Sequence, residues 1–397
     1  MSQFPKDFIF GASISSYQTE GDNFNSDWWQ WEKKGKTRDY SGKACDYWNR
    51  WKEDHNFLTE LGAKAFRLSL EWSRIEPADG QFSQEAIDKY RKILEDLKNR
   101  NIKTVVTLWH FSTPIWFQEK YGWHKKTSIE IFTRYVDFVY KELGDQMNIV
   151  VVMNEPMIPL GLGFLLGAHP PGFKNPFKFW RALNNLAKAY VRSYEIIHSR
   201  QKNALVGITY WYNWFATDLP CGSLILKISR WFRVNWFGHK IKNCQDYFGL
   251  DYYRIARIKF GVKKPLFMGF GLEDDPENVM GWTPYPAGIF NVLSEIRENY
   301  GNIPIYIMEN GLPSRNGLAD KKRFDFIREH LKYVAKAIAE GIDVRGYFHW
   351  SLLDNFEWAN GFEPKFGLIE TDFQTLERKP RESFYAYKSI IEKNGID

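Results

Sequence analysis

Two glutamates stand where an apolar strand should give way to a turn. Residues 149–156 read I-V-V-V-M-N-E-P and residues 304–311 read P-I-Y-I-M-E-N-G, so Glu155 and Glu309 each follow a buried-looking run. A carboxylate at the mouth of a buried strand is costly unless it is paired or used. Two facing carboxyls without a cluster of metal ligands suit the acid-catalysed cleavage of an acetal. One protonates the leaving oxygen while the other attacks the anomeric carbon, or guides water to it. Such a pair works when its surroundings push the two pKa values apart. Arg67 and Tyr253 beside one glutamate would hold it ionised. The other, walled by aromatics and facing that anion, would stay protonated near neutral pH. On these grounds alone either glutamate fills either role.

Positioning them calls for elements that bring distant segments together. Apolar, strand-like runs occur at 8–13, 65–70, 102–110, 148–154, 205–211, 247–253, 304–309 and 344–350. They lack a clean alternation of period two, as parallel strands buried on both faces do. Between them lie helical patterns. Ser83 is a candidate N-cap for Ile87, Tyr90, Leu94 and Leu97. Phe324, Ile327, Leu331, Val334 and Ile338 repeat the spacing over 320–340, and Gly341 supplies a left-handed C-cap. Further helices are expected at 128–143, 178–200, 287–300 and 381–393. Strict β-then-α alternation predicts an α/β fold with right-handed crossovers. Eight units without a Gly/Ser/Pro-rich linker favour a closed (β/α)₈ TIM barrel, a single catalytic domain over residues 1–397. No G-x-G-x-x-G follows the first strand, which removes the signature of an open dinucleotide-binding sheet.

In a barrel the C-terminal strand ends meet at one face, where chemistry is placed. Those ends carry Gln18, Arg67, His110, Asn154 with Glu155, Tyr252 with Tyr253, Glu309 and Trp350. The loop after the eighth strand adds Glu357 and Trp358 in D-N-F-E-W. Each has a plainer reading when taken singly. The glutamates could be ion-pair partners of Arg67 or Arg74, His110 a satisfied core histidine, Tyr253 and Trp350 core aromatics, and Gln18 a turn residue. Glu357 inside an aromatic cluster resists such a reading, because a buried carboxylate wants a hydroxyl or amide partner.

Composition narrows the class. With 17 Trp, 21 Tyr and 31 Phe, aromatics make 17% of the chain, suited to a large core or to a cleft packing flat faces on sugar rings. The net charge of +6 comes from dispersed Lys and Arg, with no basic block of the kind that tracks nucleic acid. Cys45, Cys221 and Cys244 are too few and scattered for a disulfide framework or a zinc site, so no metal is expected. The N-terminus has no apolar region of signal-peptide length, and no run reaches about 18 apolar residues. A cytoplasmic, soluble protein is expected. One segment, 224–240, is basic and amphipathic, which raises association with a membrane surface. The preferred reading makes it the fifth barrel helix, its apolar stripe on the sheet and its cations in water. Self-association stays open.

Five motifs in order carry a resemblance. F-P-K-D-F-I-F-G-A-S-I-S-S-Y-Q-T-E-G, F-R-L-S-L-E-W-S-R-I-E-P, N-E-P, E-N-G and W-S-L-L-D-N-F-E-W-A-N-G-F fall each on its expected strand. From near residue 4 to near residue 390 the chain resembles glycoside hydrolase family 1, the retaining β-glycosidases. The resemblance implies Glu309 as nucleophile and Glu155 as acid/base, with Arg67 and Tyr253 beside the nucleophile. It implies Asn154 on the sugar's 2-hydroxyl, Gln18, His110, Glu357 and Trp358 on the 3-, 4- and 6-hydroxyls, and Trp350 as the sugar platform. Trp282 matches a tryptophan on the leaving-group side and Phe366 a residue packing near C6. No cofactor is implied. The partners are small-molecule β-glycosides or short oligosaccharides, neutral β-D-glucosides foremost, with β-galactosides and related sugars beside them. A 6-phospho-β-glycosidase is the alternative, against which Glu357 would repel the phosphate. A non-catalytic sugar-binding barrel is another, but relatives of that kind have lost a glutamate and both are present here. The chain departs from the family at Asp251, usually Asn, at Met308, commonly Thr, and at Lys365, commonly Arg. Asp251 matters most, since a third carboxyl near the nucleophile would shift the pH profile. The chain is also short, with loops after the fifth and sixth strands that look trimmed.

Overall fold

All eight apolar runs become parallel strands of one ring. The computed structural model describes residues 2–258, 279–315 and 317–396. The strands are β1 (Ile9–Ser13), β2 (Ala65–Ser69), β3 (Lys103–Thr107), β4 (Ile149–Val151), β5 in two pieces (Leu205–Gly207 and Thr209–Trp211), β6 (Phe248–Asp251), β7 (Ile305–Asn310) and β8 (Val344–Trp350). Neighbours pair in chain order, and β8 returns to β1. Closure falls on β5. Its first piece pairs with β4 and its second with β6, so the two edges of the sheet are halves of one strand.

Both faces of the ring are covered, which explains the missing alternation. Ile9, Ala65, Val105, Ile149, Met308 and Phe348 pack against one another as a separate cluster filling the ring. The intervening residues, among them Phe10, Phe66, Val106, Val150 and Ile307, belong to the larger core under the helices. One main helix follows each strand: α1 (Tyr47–Leu61), α2 (Gln84–Asn99), α3 (Ser128–Leu143), α4 (Pro176–Arg200), α5 (Gly222–Arg230), α6 (Pro286–Tyr300), α7 (Lys321–Ala339) and α8 (Glu382–Lys393). Ser83 caps α2, its Oγ accepting from the Ala86 N–H (3.2 Å). Gly341, at φ +82°, lies just beyond the end of α7.

Helix α1 is absent from the periodicity of the sequence because its buried face is partly polar. Asp54 and His55 lie there with Tyr47, Trp51, Leu58 and Leu61. Asp54 is held by Arg378 Nε (3.0 Å), and His55 joins Tyr47 to Asp96 (2.9 and 2.8 Å). The fifth helix corrects an expectation. Its stripe does not lie wholly on the sheet: Leu224, Ile228 and Trp231 are exposed, while Val234, Phe237 and Ile241 are buried. The cause is a π-helical stretch, Trp231–Asn235, between α5 and its continuation Trp236–Ile241. A π turn holds more residues than an α turn, so the apolar face is rotated across it. Among the described residues no helix is long and apolar enough to cross a membrane.

Candidate active site

The C-terminal strand ends enclose a cavity of about 420 Å³. Its wall includes Glu155 and Glu309, with Gln18, His110, Asn154 and Glu357. Tyr253, Trp282, Trp350, Trp358 and Phe366 supply its aromatic surface. Arg67 lies buried beneath. Every site residue expected from the sequence is therefore at this mouth or directly under it.

Glu309 ends the buried run of β7, and both its oxygens are occupied. Arg67 Nη1 donates to Oε1 (2.5 Å) and Tyr253 Oη donates to Oε2 (2.5 Å). Arg67 also donates through Nη2 to Asn154 Oδ1 and through Nε to Thr107 Oγ1 (3.3 Å), which fixes the guanidinium between β2, β3 and β4. Burial, the Glu309 charge and the neighbouring carboxyls hold the Tyr253 phenol well above its ordinary pKa, so it remains a donor. Gly311 closes the E-N-G turn for a steric reason. A Cβ there would lie 1.9 Å from the Trp350 carbonyl oxygen and 3.3 Å from the Phe366 ring, because the backbones of the two strands touch.

Glu155 follows β4 at φ +39°, a conformation rare for a residue with a side chain and concentrated at functional sites. Its N–H donates to Thr209 Oγ1 (3.1 Å), and Thr209 donates in turn to Asn154 Oδ1 (2.7 Å). With Oδ1 taken by two donors, the Asn154 amide N–H faces His110 Nε2 (3.2 Å). That nitrogen must then accept, so the His110 proton sits on Nδ1, which has no partner among the described residues. Burial, aided by Arg67, pushes His110 well below its usual pKa, leaving it neutral.

Asp251 ends β6 inside the same cluster. Glu155, Asp251 and Glu309 each place an oxygen within 4.8 Å of the others. The cation facing them is Arg67, whose Nη1 is 3.9 Å from Asp251 Oδ1. Burial pushes Glu155 well above the usual carboxyl range, the Asp251 and Glu309 charges push further, and Arg67 opposes them. Asp251 is raised by burial and by Glu309. Neither Asp251 oxygen accepts from an amide or hydroxyl of the described residues. A protonated Glu155 supplies the missing donor.

Across the cavity, Gln18 Nε2 donates to Glu357 Oε2 (3.0 Å) and to Asn355 Oδ1 (2.9 Å). Burial, then the Glu309 charge, raises Glu357 to about 8, with Gln18 opposing. The D-N-F-E-W loop is anchored from below. Arg381 grips Asp354 with two nitrogens (3.0 and 2.7 Å), and the Gly367 N–H donates to it (2.9 Å). Trp358 stacks on Tyr17 (5.7 Å between centroids, 8° between planes). Trp350, Tyr253 and Phe366 form an aromatic wall, with Trp211 and Trp282 packed on it.

Several residues of the site carry no expectation from the sequence. Trp211 and Thr209 belong to β5, whose end contributes to the mouth like the others. Applying the strand-end rule to L-V-G-I-T-Y-W would have found them. Asn355 stood in view within D-N-F-E-W. Arg233 lines the cavity from the stretch after α5, and nothing in its local sequence marks it.

Comparison with known proteins agrees with this geometry. The sequence profile of glycosyl hydrolase family 1 matches residues 1–247 and 238–396. Beta-glucosidase A of Thermotoga maritima is 31% identical over 448 aligned residues, covering 100% of this chain and 99% of that protein. The beta-galactosidase of Sulfolobus acidocaldarius is 29% identical over 478 residues, covering 100% and 96%. Among solved structures, a family 1 β-glucosidase from T. maritima superposes with a TM-score of 0.94 at 29% identity over 100% of both chains. A beta-glycosidase from Pyrococcus horikoshii gives 0.91 at 36% identity, covering 100% of this chain and 96% of that one.

Proposed function

Since the chain belongs to glycosyl hydrolase family 1, we propose that it is a retaining exo-β-glycosidase of neutral β-D-glucosides, taking β-galactosides and related sugars as well. We assign this activity to residues 1–397 as one catalytic domain. The observation that carries the reading is the 4.8 Å limit on the separation of Glu155 and Glu309 oxygens in the wall of one cavity. Retaining enzymes hold their two carboxyls about 5–5.5 Å apart, whereas inverting ones need about 6.5–9.5 Å to admit a water.

Glu155 starts protonated and Glu309 starts as a carboxylate steadied by Arg67 and Tyr253. Glu309 attacks the anomeric carbon as the Glu155 proton passes to the glycosidic oxygen, so the C–O bond breaks and an alcohol leaves. The resulting ester has no charge on Glu309, which removes one of the causes holding the Glu155 proton. Glu155 then takes a proton from water as that water's oxygen displaces Glu309 from the same carbon. Two displacements preserve the β configuration. Asn154 contacts the 2-hydroxyl, Gln18, His110, Glu357 and Trp358 the 3-, 4- and 6-hydroxyls, and Trp350 the ring face. Phe366 packs near C6 and Trp282 faces the leaving group. At the Gln18–Glu357 end the wall offers a carboxyl and amides, a poor seat for a 6-phosphate dianion.

The test is product stereochemistry and leaving-group dependence. Proton NMR of early product should show the β anomer first. Glu309→Gly should abolish turnover. Glu155→Ala should lose about 10²–10⁴-fold on phenyl glucosides, which need protonation, and little on dinitrophenyl glucosides, which do not. An α-anomeric first product, or equal losses across leaving groups, would overturn the assignment.

A further inference from the structure

One flank of the barrel, made by the front of α4 and by α5 with its continuation, presents an apolar stripe to solvent. Of the nine large hydrophobic side chains exposed among the described residues, five are here: Phe177, Trp180, Leu224, Ile228 and Trp231. They form one surface. Leu224, Ile228 and Trp231 share a helical face by their spacing, and Phe177 is 81% exposed one turn before Trp180. The Trp236 ring joins the two helices, 5.0 Å from Trp180 and 5.1 Å from Trp231.

The segments that carry this stripe are charged with a single sign. Residues 156–194 and 219–244 together contain ten Lys and Arg and no Asp or Glu. The whole chain holds 54 basic and 48 acidic residues, so everything else is net acidic, 44 against 48. Arg230 pairs with Glu295 (2.8 Å). Arg233 lines the cavity, and none of the other eight has a carboxylate partner among the described residues. Arg181 and Lys188 continue the exposed face of α4 below Phe177, Lys227 sits between Leu224 and Ile228, and Lys240 lies 5.7 Å over the Trp180 ring.

Glu295 and Glu298 line the groove beside Ile228 and Trp231 on one side, and the segments that carry the stripe add only cations to it. An aromatic and aliphatic stripe on such cationic helices is the chemistry of an interfacial helix on an anionic membrane. Tryptophan is the side chain that best occupies the headgroup level. A symmetric contact between two copies would oppose these like charges, because a two-fold interface sets each patch against itself. We propose that this flank docks the protein on an anionic lipid surface, with Trp180 and Trp231 among the headgroups and the surrounding Lys and Arg on lipid phosphates. The five stripe residues are not part of the cavity wall, so docking leaves the chemistry of a soluble glycoside untouched.

Flotation of the full chain with phosphatidylcholine vesicles containing about one-third phosphatidylglycerol tests this. The protein should rise with these vesicles and not with phosphatidylcholine alone. Raising NaCl from about 0.01 M to about 1 M should release it, as the screening length falls from about 30 Å to about 3 Å. Each cation lost near the surface should lower partitioning about fivefold, so Arg181→Gln with Lys227→Gln should lower it about 25-fold. Trp180→Ser with Trp231→Ser should also weaken flotation. Unchanged thermal unfolding midpoints would show that both variants fold. The proposal falls if the protein stays at the bottom with anionic vesicles at low salt, or if both variants float like the wild type. It also falls if sedimentation shows a concentration-dependent dimer that the double Trp variant abolishes, which would make the stripe a self-contact.

Discussion

Replacing Gly311 with alanine sets packing directly against chemistry. The new methyl would lie 1.9 Å from the Trp350 carbonyl oxygen, and real Cβ atoms do not approach within 3.0 Å, so the backbones of β7 and β8 must part by about 1 Å. The obstructing atom is backbone, so no side chain can swing aside. Overpacking of this kind costs about 1–3 kcal/mol of stability. The larger effect falls on the site, because Glu309 lies two residues before the glycine and Trp350 is itself the strand that must move. A misplacement of about 1 Å costs about 10²-fold in rate, near 2.7 kcal/mol of transition-state stabilisation. The assay is kcat/KM on p-nitrophenyl β-glucoside beside the thermal unfolding midpoint. Gly317→Ala is the control, since nothing lies within 4 Å of its added methyl. Gly317→Ala should match the wild type. Gly311→Ala should remain folded with a lower midpoint and about a hundredfold loss of kcat/KM. If Gly311→Ala kept its midpoint and stayed within about threefold of wild-type kcat/KM, the steric reasoning would be refuted.

Two further predictions concern protons. Asp251→Asn removes a charge that helps hold the proton on Glu155, so the alkaline limb of the kcat/KM profile should move to lower pH; an unmoved limb would exclude Asp251 as a positioning residue. Glu357 is raised to about 8 from an ordinary 4.5, so the folded state binds the extra proton. Its contribution to stability is full below the ordinary carboxyl pKa and is lost as pH rises through about 8. The unfolding midpoint of Glu357→Gln should therefore gain on the wild type between about pH 5 and pH 8, and a difference independent of pH would contradict this.

Much of the molecule was legible because its physics is local. Strands buried on both faces leave unbroken apolar runs, and a carboxylate ending such a run announces a use. Glu155 and Glu309 were visible for that reason, and Arg67 and Tyr253 because an anion there needs donors. What escaped depended on tertiary partners. Helix α1 hid because Asp54 and His55 occupy its buried face and are satisfied by Arg378, Asp96 and Tyr47. The exposure of Leu224, Ile228 and Trp231 hid because a π turn rephases the helix, and apolar spacing alone cannot say which way a stripe faces. Asp251 was visible as a departure, but its place between both glutamates required three strands to be brought together.

The seam in β5 gives the ring an uneven grip on its two catalytic halves. Each half of that strand is held to its neighbour over three residues only, and Thr209, which opens the second half, carries the hydrogen bonds that orient Asn154 and Glu155. Glu309 instead rides on β7, which is six residues long and braced on one side by the seven-residue β8. A ring that parted at this seam would therefore open on the side that handles the proton. A molecule caught part-way open keeps its attacking group clamped and loses its acid, pausing the reaction before any bond to the sugar is made.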